Sequence, residues 1–180
     1  MTAYRLASEL QAEWVFHVDS DDQFVTNDFV ALWAQRDRSD FILGHRMKRF
    51  DAMHRLVITR IVKSLNYLLF GVWIPDANIP YRLIKGQFLT ALLRAMPKNV
   101  FAPNIFLSIL ACKAGQNTIN VPVHHEERKT GTVSILRFKL LKVCFQSARE
   151  LLVFRGSLPK IVPQIQAAGR TMSRTINKAS

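Results

Sequence analysis

The stretch WVFHVDSDDQF, residues 14 to 24, sets an apolar run directly against a cluster of aspartates. Trp14, Val15, Phe16 and Val18 have the aromatic and β-branched character of a buried strand, and Asp19, Asp21 and Asp22 stand where that strand would emerge. Two carboxylates one residue apart at the C-terminal end of a strand can converge on a divalent cation, and open α/β sheets carry their ligands at such ends. A hard cation held there would neutralise phosphate oxygens.

Three further roles compete for the same aspartates. An EF-hand loop also opens D-x-D, but it needs Gly at its sixth position and Glu at its twelfth, where this chain has Phe24 and Val30, so an EF-hand is excluded. A phosphatase with an aspartyl nucleophile could place D-x-D after a strand, although a haloacid-dehalogenase-like pattern has Thr or Val where Gln23 stands. The third is a solvated loop that caps the next helix through Asn27 or Asp28.

Other residues able to do chemistry are weaker candidates. His124 and His125 precede Glu126 and Glu127, but neighbours on an extended chain point to opposite faces, so at most one His and one Glu could share a site. They read as strand-end residues. His17 lies between Phe16 and Val18 and reads as a satisfied core histidine. Cys112 and Cys144 fall far apart inside apolar helical patterns, which indicates core thiols in a reducing compartment.

The elements that must position these residues alternate in type. A helix at about 3 to 12, a strand at 14 to 18, a helix at about 27 to 36 and a strand at 40 to 43 come first, and this alternation is that of an α/β fold. Met53, Leu56, Val57, Ile61, Leu65 and Leu68 then recur at helical steps within about 51 to 71. After a loop holding Pro75 and Pro80, YRLIK reads as a short strand or turn. Helices at about 86 to 95 and 103 to 114, a strand at 118 to 123 and a helix at about 135 to 154 complete the order, with residues 155 to 180 expected to be a loosely ordered basic tail.

Composition limits the partners. The chain has 180 residues, 49% of them hydrophobic, which suffices for about one domain with a core. A net charge of +12 attracts anions: nucleic acid, phosphorylated small molecules or an acidic membrane face. Nucleic acid is disfavoured because the charge is dispersed and no recognised binding motif accompanies it. No signal peptide is visible, and the longest apolar runs fall short of the ~20 residues that span a bilayer, so the chain is expected to be soluble or peripheral. In residues 135 to 154, Leu136, Leu140, Leu141, Cys144, Phe145, Ala148, Leu151 and Leu152 form an apolar stripe beside Arg137, Lys142 and Arg149. That pattern suits a helix in an anionic membrane interface as well as a core helix.

The order D-S-D-D-Q, FILGHR (41 to 46), DANIPYR (76 to 82) and ERKTG (127 to 131) resembles the family 2 glycosyltransferases of GT-A fold, and within them most the branch of dolichyl-phosphate mannose synthase. The resemblance covers about residues 3 to 154. It implies that Asp19, Asp21 and Gln23 hold Mg²⁺ or Mn²⁺ and the diphosphate of a nucleotide-sugar. The family's G-x-R element falls on Gly44 and Arg46, giving a guanidinium for phosphate. Its D-x-x-S-G-F-R element falls on Asp76, Tyr81 and Arg82, with Ile79 and Pro80 in place of the small residues. Its R-x-x-G-x-S-K element falls on Arg128 and Gly131, with Val133 and Ser134 where Ser and Lys are usual. Asp76, Arg82 and Arg128 are then the expected catalytic residues, and Asp19, Asp21, Arg46, Arg82, Arg128 and Gly131 the substrate-binding ones.

The chemistry of sugar transfer suits those residue types. Negative charge develops on the departing diphosphate, and a bound divalent cation and fixed guanidinium groups stabilise it. A lipid-phosphate acceptor is already anionic near neutral pH and needs no base, whereas a sugar hydroxyl would need a carboxylate, for which Asp76 is the candidate. Asp76 beside Pro75 could instead form an Asx turn, and Arg46 and Arg82 could be surface residues.

The family's fold opens with a β-α-β-α stretch that builds much of the nucleotide pocket, and nothing before Tyr4 can supply it. The expected architecture is therefore the C-terminal half of a GT-A, Rossmann-like mixed sheet flanked by helices, with a C-terminal amphipathic helix. Residues 1 to 134 would form the partial catalytic domain. The expected function is metal-dependent transfer of a sugar from a nucleotide-sugar to a polyprenyl phosphate or a glycan, impaired in this fragment. The missing N-terminal half could act in trans. The expected location is the cytoplasm, peripheral at the inner membrane face. A noncatalytic remnant that binds an anionic membrane surface is the alternative.

Overall fold

A computed structural model describes residues 2–21, 23–47, 53–97, 100–115, 117–126 and 137–179. Its elements follow in the order α1 (Thr2–Glu9), β1 (Trp14–Val18), α2 (Asp28–Trp33), β2 (Phe41–Arg46), α3 (Met53–Phe70), β3 (Tyr81–Lys85), α4 (Gly86–Ala95), α5 (Pro103–Lys113), β4 (Thr118–Val123) and α6 (Arg137–Ala179). The expected α/β class is what the chain adopts, and YRLIK is a strand.

The four strands form one mixed sheet in the order β1-β3-β2-β4. β3 runs antiparallel to both β1 and β2, with Val18 opposite Tyr81 and Leu43 opposite Arg82, while β4 runs parallel to β2, with Arg46 opposite Val123. β2 and β3 are central and read as near-continuous apolar runs, and Phe41, Ile42, Leu43, Tyr81, Leu83 and Ile84 are all buried. α2 packs on β2, β3 and β4, while α1, α3, α4, α5 and α6 form a linked helical layer.

The turn from β3 into α4 depends on Gly86. A Cβ there would stand 1.7 Å from the carbonyl oxygen of Ala12, and the Gly86 N–H donates to Glu13 O at 2.7 Å. Only glycine allows the start of α4 to press against the segment that enters β1.

The last helix differs from expectation. Residues 155 to 180 are expected to be a loosely ordered basic tail after a helix ending near 154, yet α6 continues through Pro159 and Pro163 to Ala179. Burial explains the difference: Leu151, Phe154, Leu158 and Ile165 are buried in the core at helical spacing, with Ile161 and Val162 packed against it. Six such side chains outweigh the two backbone hydrogen bonds that the prolines remove. Phe154 contacts Phe106 of α5 and Phe70 of α3 through its ring, so this part of the helix is a core element.

Candidate functional site

Because β3 opposes the other three strands, its N-terminal end and the C-terminal ends of β1, β2 and β4 lie together at one end of the sheet. This topology brings Asp19, Asp21, Arg46, Asp76 and Tyr81 to that end from three separate stretches of sequence. Asp22, Arg128 and Gly131 lie outside the described residues.

The acidic loop is tied to the end of β4. Phe24 forms an antiparallel bridge with His125, the Gln23 amide nitrogen donates to Glu126 O at 3.1 Å, and Glu126 N–H donates to Gln23 O at 2.8 Å. Phe24 also stacks on Tyr81 with ring centroids 4.9 Å apart, and the Tyr81 hydroxyl donates to Val25 O at 3.3 Å. Burial and then the Asp28 carboxylate push the Tyr81 hydroxyl up to about 12, so it stays a donor. Asp19 is exposed, whereas Asp21 is partly exposed with its Oδ1 shielded from solvent.

Arg46 and Asp76 form an ion pair with two hydrogen bonds, Nε to Oδ2 at 2.7 Å and Nη2 to Oδ1 at 3.1 Å. Their side chains are 12% and 5% exposed, so neither is a surface residue. Gly44, two residues before Arg46, leaves room for this arrangement. A Cβ there would lie 3.0 Å from Tyr81 O and 3.2 Å from Ile79 Cδ1, crowding the loop that carries Asp76.

Arg82 is fully buried. Its Nε donates to Ile79 O at 3.0 Å, Nη1 to Asn104 O at 3.1 Å, and Nη2 to Ala77 O at 3.3 Å and Ile79 O at 2.5 Å. The guanidinium therefore ties the loop after Asp76 to the start of α5. Burial lowers its pKa, opposed by the charges of Tyr4, Asp76 and Asp19, and an arginine so placed remains charged. Asp19 is thus electrostatically coupled to the same buried cation as Asp76.

The histidines take structural places. His17 Nδ1 lies 2.9 Å from the Tyr4 hydroxyl, and burial, with lesser help from Arg82, lowers its pKa to about 4. His124 bonds Asp28 through its N–H at 2.5 Å and through Nδ1 at 3.0 Å, whereas His125 is buried against the Phe24 ring. The two neighbours diverge, as alternation along a strand requires. Cys112 packs beside the core, 3.6 Å from the Thr118 hydroxyl, and burial raises its pKa, which keeps it a thiol. The side chain of Cys144 lies outside the described residues.

Among the described residues no group of three or more His, Cys, Asp and Glu could hold a metal ion by itself. The donor set still fits a hard cation whose remaining ligands are phosphate and water, since Mg²⁺ is commonly held by one or two carboxylates together with substrate phosphates. Asn104 and Ser108, which accept from or neighbour Arg82, are site-building residues that sequence reasoning missed. They lie 22 and 26 residues from Arg82, and no spacing marks them.

No family model matches the chain. It is 24% identical over 139 residues to undecaprenyl-phosphate 4-deoxy-4-formamido-L-arabinose transferase of Enterobacter sp. (strain 638). The matched stretch covers 77% of this chain and 41% of that protein, so the chain spans well under half the relative's length.

Proposed function

We propose that this chain is the metal-binding part of a family 2-like glycosyltransferase that moves a sugar from a nucleotide-sugar to a polyprenyl phosphate. The observation that carries the reading is the convergence of the Asp19–Asp21 loop and the Arg46–Asp76 pair at one end of the sheet. Similarity to a transferase named for undecaprenyl phosphate supports the acceptor class. Residues 1 to 134 constitute the partial catalytic domain in this reading.

Asp19 and Asp21 hold Mg²⁺ or Mn²⁺ against the donor diphosphate, and Gln23 braces their loop on Glu126. The cation supplies Lewis-acid stabilisation of the departing diphosphate. Asp76 has both carboxylate oxygens engaged by Arg46. This suits a phosphate acceptor, which needs no base, better than a sugar hydroxyl. Asp76 instead orients Arg46, whose guanidinium faces phosphate charge. Arg82 acts by holding the Asp76 loop, and Arg128 and Gly131 complete the phosphate contacts.

Calorimetry of the chain with nucleoside diphosphates and with pyrophosphate tests this. Binding should require Mn²⁺ or Mg²⁺, and Asp19→Ala or Asp21→Ala should abolish it while circular dichroism stays unchanged. Metal-independent binding, or equal affinity in the variants, overturns the reading.

A further inference from the structure

Four polar side chains from α1, β1, β3 and α5 meet at the root of the acidic loop. His17 stands opposite Arg82 in the β1–β3 pairing, so the two side chains emerge on the same face of the sheet. Tyr4 of α1, 6% exposed, lies over this face, and its ring meets the His17 ring edge-on with centroids 5.2 Å apart. The Tyr4 O–H donates to Asn104 Oδ1 at 3.3 Å, and His17 Nδ1 stands 2.9 Å from the same hydroxyl oxygen. Asn104 O in turn accepts from Arg82 Nη1 at 3.1 Å.

The protons in this cluster have one consistent arrangement. A hydroxyl has a single proton to give, and the carboxamide oxygen of Asn104 can only accept. Both contacts are hydrogen bonds only when Tyr4 donates to Asn104 Oδ1 and His17 donates its Nδ1–H to the Tyr4 oxygen. Burial pushes the Tyr4 hydroxyl up to about 12, with Arg82 opposing the rise and Asp19 adding to it, so the group keeps its proton and feels both charges. One hydroxyl thereby ties β1 to the start of α5, and Arg82 ties the start of α5 to the loop after Asp76.

We infer that Tyr4 is a positioning residue of the candidate site: its hydroxyl fixes His17, and through it sets the Asp19 loop relative to the Arg46–Asp76 pair. The inference rests on the proposed function. Asp19 follows His17 by two residues, a reach of at most ~7 Å, so a shift of the imidazole passes with little slack to the carboxylate proposed to hold the metal. The helix that carries Tyr4 has an independent anchor. Ser8 Oγ and Thr90 Oγ1 lie 2.7 Å apart, and Thr90 Oγ1 donates to Gly86 O at 3.0 Å, which leaves Ser8 as the donor between the two hydroxyls. Ser8 therefore separates the docking of α1 from the action of the Tyr4 hydroxyl.

Two measurements on the chain test this. Nitrogen NMR of the histidine side chains at neutral pH should find the His17 proton on Nδ1 in the wild type. In Tyr4→Phe, which keeps the ring in the core and removes only the hydroxyl, the proton should move toward Nε2. Calorimetry should show Mn²⁺-dependent pyrophosphate affinity falling ~10-fold or more in Tyr4→Phe with circular dichroism unchanged, the size of effect that outer-shell partners of metal ligands have. Ser8→Ala, which removes a hydrogen bond between α1 and α4, should leave both readouts at their wild-type values. An Nε2–H tautomer in the wild type overturns the inference. So does an equal loss of affinity in Ser8→Ala, since docking of α1 alone would then set it. A wild type that binds no pyrophosphate with Mn²⁺ sinks the proposed function and this inference together, whereas binding retained in full by Tyr4→Phe sinks the inference alone.

Discussion

Arg46 and Asp76, 30 residues apart in sequence, meet through two parallel hydrogen bonds of 2.7 and 3.1 Å at the mouth of the sheet. A planar guanidinium matched to a carboxylate in this way gains direction as well as charge neutralisation. Each ion is held by the other in a place largely shielded from water.

Removing both partners should therefore cost less than the sum of removing each alone. Asp76→Ala leaves a shielded guanidinium without its counter-ion and should lower unfolding free energy by about 3 kcal/mol in urea titration. Arg46→Met should cost a similar amount, and the double variant should fall short of the sum by about 1–3 kcal/mol. Additive losses would mean that the pair contributes nothing as a pair.

Arg82→Lys should not be conservative. A lysine ammonium is a point charge that cannot reach the carbonyls of Ala77, Ile79 and Asn104 together, so acceptors are left unpaired at about 1–3 kcal/mol each. The Ile79 N–H, which donates to Asp76 O at 3.2 Å, should lose protection from hydrogen exchange as the loop loosens. Unchanged exchange at Ile79 would show that something other than Arg82 holds the loop.

His17 makes stability fall with acid. Its pKa is lowered to about 4 in the folded protein against 6.5 for the free side chain, so between those values the unfolded chain binds a proton that the folded one refuses. Stability from this group is whole above about pH 6.5 and declines as pH falls toward 4. Partial solvent screening reduces the effect to ~1–2 kcal/mol. His17→Asn keeps a polar atom facing the Tyr4 hydroxyl without titrating, so its stability should fall less across that window in pH-dependent denaturation. Parallel profiles for the two proteins would contradict this assignment.

Local sequence by itself determined most of the elements. β1 and β4 begin and end where alternation and β-branched content put them, because each needs only a short run with the right side chains. The aspartates at the tip of β1 were legible for the same reason: charge after an apolar strand marks the strand's mouth. What Arg46, Asp76 and Arg82 do was decided by tertiary structure. Nothing local distinguishes a surface arginine from one with 0% exposure inside a ring of carbonyls, since those acceptors belong to another loop and another helix. The length of α6 was decided the same way. Gly156, Pro159 and Pro163 argue locally for a break, but Leu158 and Ile165 meet a core whose existence no nine-residue window contains, and burial there outweighs local propensity.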